Sequence, residues 1–189
     1  MVASLVMVLA AAVHPPIYGQ SFPINVHQSS LKIKVSKSGL FSAFGHDHEV
    51  EAPIERGRID LSVNPSVELS VDARKLKVLD PEIPADKRTE IQATMLGADV
   101  LDSQHYPEIT YKSTSVEKTG PDSWRVHGNL TLHSRTAPVA VRVVVRNSHY
   151  QGSAQIKQTD FGITPVRFAG GTVRVKDEVK IDFDIVPAK

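Results

Sequence analysis

Apolar and polar residues alternate with period two along most of this chain, and that pattern constrains its fold more than any other feature. Leu31, Ile33 and Val35 alternate with Lys32, Lys34 and Ser36; Ile59, Leu61 and Val63 with Arg58, Asp60 and Ser62; Val67, Leu69 and Val71 with Glu68, Ser70 and Asp72. Ile109 and Tyr111 face away from Thr110 and Lys112, and Trp124, Val126, Leu130 and Leu132 share a face opposite His127, Asn129, Thr131 and His133. Val139, Val141, Val143 and Val145 follow, then Val179, Ile181, Phe183 and Ile185 against Lys180, Asp182 and Asp184. Successive side chains of a strand point to opposite faces, so each run reads as a half-buried strand. One apolar and one polar face per strand means an antiparallel sheet covered on one side. With about eight such strands, closure into a barrel removes the exposed edges. The expected fold is therefore all-β, an extended antiparallel barrel of about eight strands.

Turn chemistry punctuates the runs at Asn64-Pro65, Gly120-Pro121-Asp122, Ala137-Pro138, Gly170-Gly171 and Lys176-Asp177. Residues 84–96 break the alternation. Pro84 and Asp86 suit a helix start, Gly97 its end, and Ile91 with Met95 forms one apolar stripe. This predicts a short helix near 84–96 covering an end or side of the barrel.

A length of 189 residues fits one domain, and 41% hydrophobic residues allow an ordinary core. A net charge of +1 without a clustered basic face argues against nucleic acid as a partner. The absence of cysteine removes disulfides, thiolate chemistry and an acylated-cysteine anchor. Residues 2–13 are apolar, too short to span a bilayer but suited to a signal-peptide core, with Ala10-Ala11-Ala12 resembling a cleavage site. The first Lys or Arg is Lys32, so the basic start of such a signal is missing and a buried N-terminal segment is the alternative. The expected organisation is a targeting segment over 1–20 and a barrel domain over 21–189, periplasmic or secreted, with no stable membrane insertion.

Candidate chemistry is sparse. His46 and His48, two apart in an extended chain, project to one side, as in strand-borne zinc sites, and Asp47 or Glu49 could orient a ring. Two ligands are not a site, and no third is evident, so a polar strand end is the competing reading. Asp160-Phe161-Gly162 lacks the Gly-rich and His-Arg-Asp loops of a kinase, which leaves Phe161 to the barrel and Gly162 to a turn or bulge. There is no Gly-x-Ser-x-Gly step for a serine nucleophile.

Several segments in fixed order carry a family resemblance. They are "GADVLDSQHYPEITYKSTSV" (97–116), "VHGNLTLHSRTAPVAVRVVV" (126–145), "KQTDFGI" (157–163) and "VKDEVKIDFDI" (175–185). Together they resemble the YceI-like family over roughly residues 25–187. The resemblance implies a lipocalin-like barrel, exported to the periplasm, that binds an amphiphilic, isoprenoid-like or fatty-acyl chain inside the barrel. The Arg-Asp-x-His run common in the family's helical segment is replaced here by Ile91-Gln92-Ala93-Thr94, so head-group contacts made by that run do not carry over.

The reading that results is non-enzymatic binding of a hydrophobic or amphiphilic molecule, without a cofactor. The ligand-binding residues expected are Ile33, Val35, Leu69, Val71, Tyr111, Val126, Leu130, Val143, Phe161, Phe168 and Phe183, with Phe41 and Phe44 either core or the lip of the tunnel. The alternative is a metal-dependent barrel protein or hydrolase built on His46 and His48. A homodimer stays open.

Overall fold

A computed structural model describes residues 20–38, 47–168 and 173–188. The strands are β1 (Ser21–Pro23), β2 (Ser30–Ser38), β3 (His48–Glu51), β4 (Ile54–Asp60), β5 (Ser66–Asp72), β6 (Lys77–Val78), β7 (Glu108–Gly120), β8 (Ser123–Leu132), β9 (Arg135–Arg146), β10 (His149–Lys157), β11 (Arg167–Phe168) and β12 (Val173–Ile185). One helix, α1, covers Ala85–Leu96. The strands form a single antiparallel sheet in the order β1-β4-β5-β7-β8-β9-β10-β12-β2-β3-β6, with β11 attached to β12.

Among the described residues there are twelve strands where about eight were expected, and the reason is interruption. β1 and β2 are halves of one run broken over residues 25–29, and β3 and β4 are broken at 52–53. β5 and β6 are split by a short 3-10 turn, Ala73–Lys75. Rejoined, the long segments are eight antiparallel runs, each beside the next, and the sheet curls until the first run meets the last. β2 pairs with β12, and Ile24 bridges to Pro187 beyond it. The short pieces β1, β3 and β6 have too few residues to reveal a period.

Two predicted turns are instead inside strands. Ala137-Pro138 lies within β9. β10 pairs with β9 only between Arg142 and Arg146, so β9 runs as an edge at Pro138, where a missing N–H is tolerated. Lys176-Asp177 lies within β12 at a register shift between Val175 and Val179. There the Asp177 carboxylate accepts hydrogen bonds from the Thr159 backbone N–H and hydroxyl, at 2.9 and 2.7 Å. The turn signal marks a bulge.

The predicted helix is present, with Pro84 as its first flanking residue. No residue of α1 is fully buried, yet Ile91, Met95 and Leu96 pack on the core cluster. Gln92 ties the helix to the barrel. Its Oε1 accepts from Val78 N–H at 2.8 Å and its Nε2 donates to Leu76 O at 2.7 Å. β7 does not extend far enough to pair with β6, and the Gln92 amide takes the place of a neighbouring strand there.

The barrel has two unlike ends. α1, residues 97–107, the His133-Ser134 turn and the 3-10 turn Gln158–Phe161 gather at one, the helix end. The β4–β5 loop (61–65), the β7–β8 turn and the Asn147-Ser148 turn form the other. His133, Ser134, Asn147 and Ser148 all have positive φ, which matches these two-residue hairpin turns to the strand twist.

Candidate functional site

The inward faces of the strands enclose a cavity of about 440 Å³. Its wall is aliphatic and aromatic almost throughout. Ile33, Val35, Leu69, Val71, Tyr111, Val126, Leu130, Val143 and Phe183, all expected from alternation, line it. Phe161 is buried to 1% exposure in the core cluster but does not reach the wall; Ile163, two residues on, does. Phe41, Phe44 and His46 lie outside the described residues, and Phe168 is described by its backbone alone. Leu76, Val100 and Leu101 line the cavity from outside the long strands, and no periodicity could have singled them out. Ala154 is inward by parity but too small to stand out in an apolar pattern.

Two glycines shape the interior. Gly128 and Gly152 occupy inward positions of β8 and β10. A β-carbon on Gly128 would stand 2.6 Å from the Tyr111 hydroxyl, and one on Gly152 would stand 2.6 Å from Phe183 Cζ. The missing side chains let both rings lie along the wall of the barrel. The Tyr111 hydroxyl donates within the wall, to the Val126 and Val139 carbonyls at 3.3 and 3.4 Å. Burial pushes the Tyr111 phenol up to about 12 and raises Tyr150 as well, so both stay neutral. Among the described residues the one charged wall residue is Asp60, at the end of β4. Hydrogen bonds from Ser62 hold its carboxyl below the usual range, the Ser62 N–H lying 2.7 Å away. Apart from Asp60, Ser66 and Gln158, the described wall residues are apolar or aromatic.

Exposure along the wall is graded. Leu76, Leu101, Leu132 and Ile163, at the helix end, are buried. At the opposite end Val67, Val116, Trp124, Val145 and Tyr150 are half-buried, and Leu61, Pro65 and Ser66 are exposed. The cavity therefore reaches the surface beside the β4–β5 loop.

His48 sits apart from the cavity. Its Nδ1 is 2.6 Å from Asp80 Oδ2, and the other oxygen of Asp80 accepts from Glu49 N–H at 2.8 Å. Asp80 is only 2% exposed. Arg88 donates to the Asp80 and Ile83 carbonyls, so one arginine braces the segment before α1. Among the described residues no group of three His, Asp or Glu side chains converges as a metal site requires. The metal reading rests on His46 as well, which is outside the description.

Comparison with known proteins gives a consistent picture. The YceI-like domain model matches residues 22–187. A UPF0312 protein of Vibrio cholerae is 25% identical over 145 residues, 71% of this chain and 72% of its own length. Burkholderia cenocepacia BcnA superposes with a TM-score of 0.68 at 18% identity, over 88% of this chain and 99% of that one. A polyisoprenoid binding domain from Saccharophagus degradans gives 0.54 at 13% identity, over 87% and 95%. At these identities the two structures establish the shared fold.

Proposed function

Because the chain belongs to the YceI-like domain family, we propose that it is a carrier that takes one hydrophobic or amphiphilic chain, isoprenoid or fatty-acyl in type, into its barrel and releases it unchanged. The observation that carries this reading is the predominantly apolar cavity of about 440 Å³, with Asp60 at the end of β4 as the charged residue among its described lining. That volume falls within the range of about 300–1,000 Å³ for small-molecule sites. Each buried methylene contributes about 0.8 kcal/mol, so a long chain binds tightly with few polar contacts. The polyisoprenoid binding domain from Saccharophagus degradans, similar in fold, supports the isoprenoid choice. The apolar run over residues 2–13 supports export to the periplasm, where a lipid carrier would serve the space between membranes.

Native mass spectrometry of the purified protein tests this, with Ala154→Trp as the control. Wild type carrying a lipid-sized adduct, absent from a folded Ala154→Trp variant whose cavity is filled, supports the proposal. No adduct and no uptake of a long-chain alcohol by wild type overturns it.

A further inference from the structure

Among the described residues, the exposed large hydrophobic side chains are Leu61 at 45% and Val63 at 74%, and both belong to one loop. That loop, residues 61–65, reads Leu-Ser-Val-Asn-Pro and carries no charge. It also borders the cavity. Leu61 and Pro65 are part of the wall, whereas Val63 is not. The apolar interior thus continues through Leu61 onto the outer surface at the end where the wall is least buried.

We infer that this loop is where the protein meets a lipid bilayer, dipping Leu61 and Val63 into the interface so that a chain passes from the bilayer into the barrel without crossing water. The inference rests on the carrier reading and names the surface that loads it. Size separates a bilayer from a protein partner. A stable protein interface takes roughly 20–30 residues a side, and the exposed apolar surface here is two side chains on one short loop. Shallow insertion of a few apolar residues at the level of the headgroups is what so small a patch can do, with binding that scales with the apolar area buried. The loop itself carries no ion to be moved out of water, and the nearest one, the Asp60 carboxylate at its base, already accepts from the Ser62 N–H at 2.7 Å. Trp124 and Tyr150 line the cavity at this end and stand half-buried, so a chain entering beside the loop meets aromatic rings first. The Lys118 Nζ lies over the Trp124 ring, 5.8 Å from its centre.

The test is transfer of a pyrene-labelled hexadecanol from phosphatidylcholine vesicles, using the full chain and Val63→Asp. Val63 lies outside the cavity wall, so the variant leaves the binding site intact. Transfer to wild type should accelerate with vesicle concentration, and Val63→Asp should slow it about tenfold or more while uptake of the same probe from vesicle-free solution is unchanged. Val63→Ser, which adds no charge, should fall between. Equal rates for all three proteins, or rates independent of vesicle concentration, overturn the inference. So does a wild-type dimer that Val63→Asp dissociates in sedimentation, which would assign the loop to self-association. Absence of uptake in both formats overturns the carrier reading itself, and this inference with it.

Discussion

Tyr111 occupies the space that a side chain at Gly128 would need: a β-carbon there would lie 2.5 Å from Tyr111 Cζ. The two residues are on adjacent strands and act as one unit, the glycine giving up volume so that the ring can lie along the wall. Gly152 and Phe183, directly opposite each other in the β10–β12 register, make a similar pair, although there the Arg142 backbone oxygen stands nearer still to where a β-carbon would be. Each pair trades local strand propensity for room inside the barrel.

Gly128→Ala should therefore destabilise the protein by about 1–3 kcal/mol, the usual cost of overpacking. In a double-mutant cycle with Tyr111→Ala, urea denaturation should show the two changes to be strongly non-additive, because removing the ring removes the clash. Additive effects would show that the backbone oxygen of Lys112, also near Gly128, dominates instead.

Gln92→Ala should cost about 2 kcal/mol, because the Val78 N–H and Leu76 carbonyl lose their partner in residues only 3% and 4% exposed. Amide exchange at Val78 should rise sharply in the variant. Gln92→Glu keeps the acceptor for Val78 but loses the donor to Leu76, so protection at Val78 should survive while stability still falls.

Asp72 makes a pH prediction. Hydrogen bonds from Arg74 hold its carboxyl well below the usual range, to about 2. A folded-state value below the unfolded one contributes stability that is fully present above about pH 4 and is lost as pH falls toward 2. Arg74 is half exposed, so the contribution is discounted to roughly 1–2 kcal/mol. Wild type should lose that amount between pH 4 and pH 2 in urea titrations, and Asp72→Asn should show a flatter profile across that window.

Trp124, the chain's single tryptophan, lines the cavity near its exposed end and serves as a built-in reporter. A brominated long-chain alcohol should quench its fluorescence. Bromines near the hydroxyl should quench more than bromines at the chain terminus if the tail reaches toward the helix end. The opposite order would mean that the head group enters first.

Asp80 and His48 form a buried pair, and Asp80→Ala should leave the ring of His48 and the Glu49 N–H without their acceptor. A loss of about 2–4 kcal/mol is expected by thermal denaturation.

Much of the barrel was readable in the alternation. Val179, Ile181 and Phe183 line the cavity as their parity requires, and Lys180 and Asp182 face outward far enough to pair with each other at 2.8 Å. What escaped was of two kinds. Pieces such as Lys77–Val78 are too short to display a period, and the Pro of Ala137-Pro138 is tolerated by an edge that only the pairing of β9 and β10 reveals. The other kind is contact at long range. Nothing in the neighbourhood of His48 points to Asp80, 32 residues away, nor does the helix announce that Gln92 will complete a strand. Phe161, expected on the wall as an aromatic of a barrel, sits instead in a 3-10 turn, where period two does not apply.

The seam between β2 and β12 joins the earliest long strand to the latest, so some 150 residues must be made and ordered before the two can meet. Bringing such distant segments together is entropically expensive to begin, though the cost grows only slowly with length. The other seven seams are between consecutive runs and can form as the chain emerges, but a sheet that has not met itself has no inside. The compartment is the last thing this protein acquires, and cargo cannot be enclosed until it has.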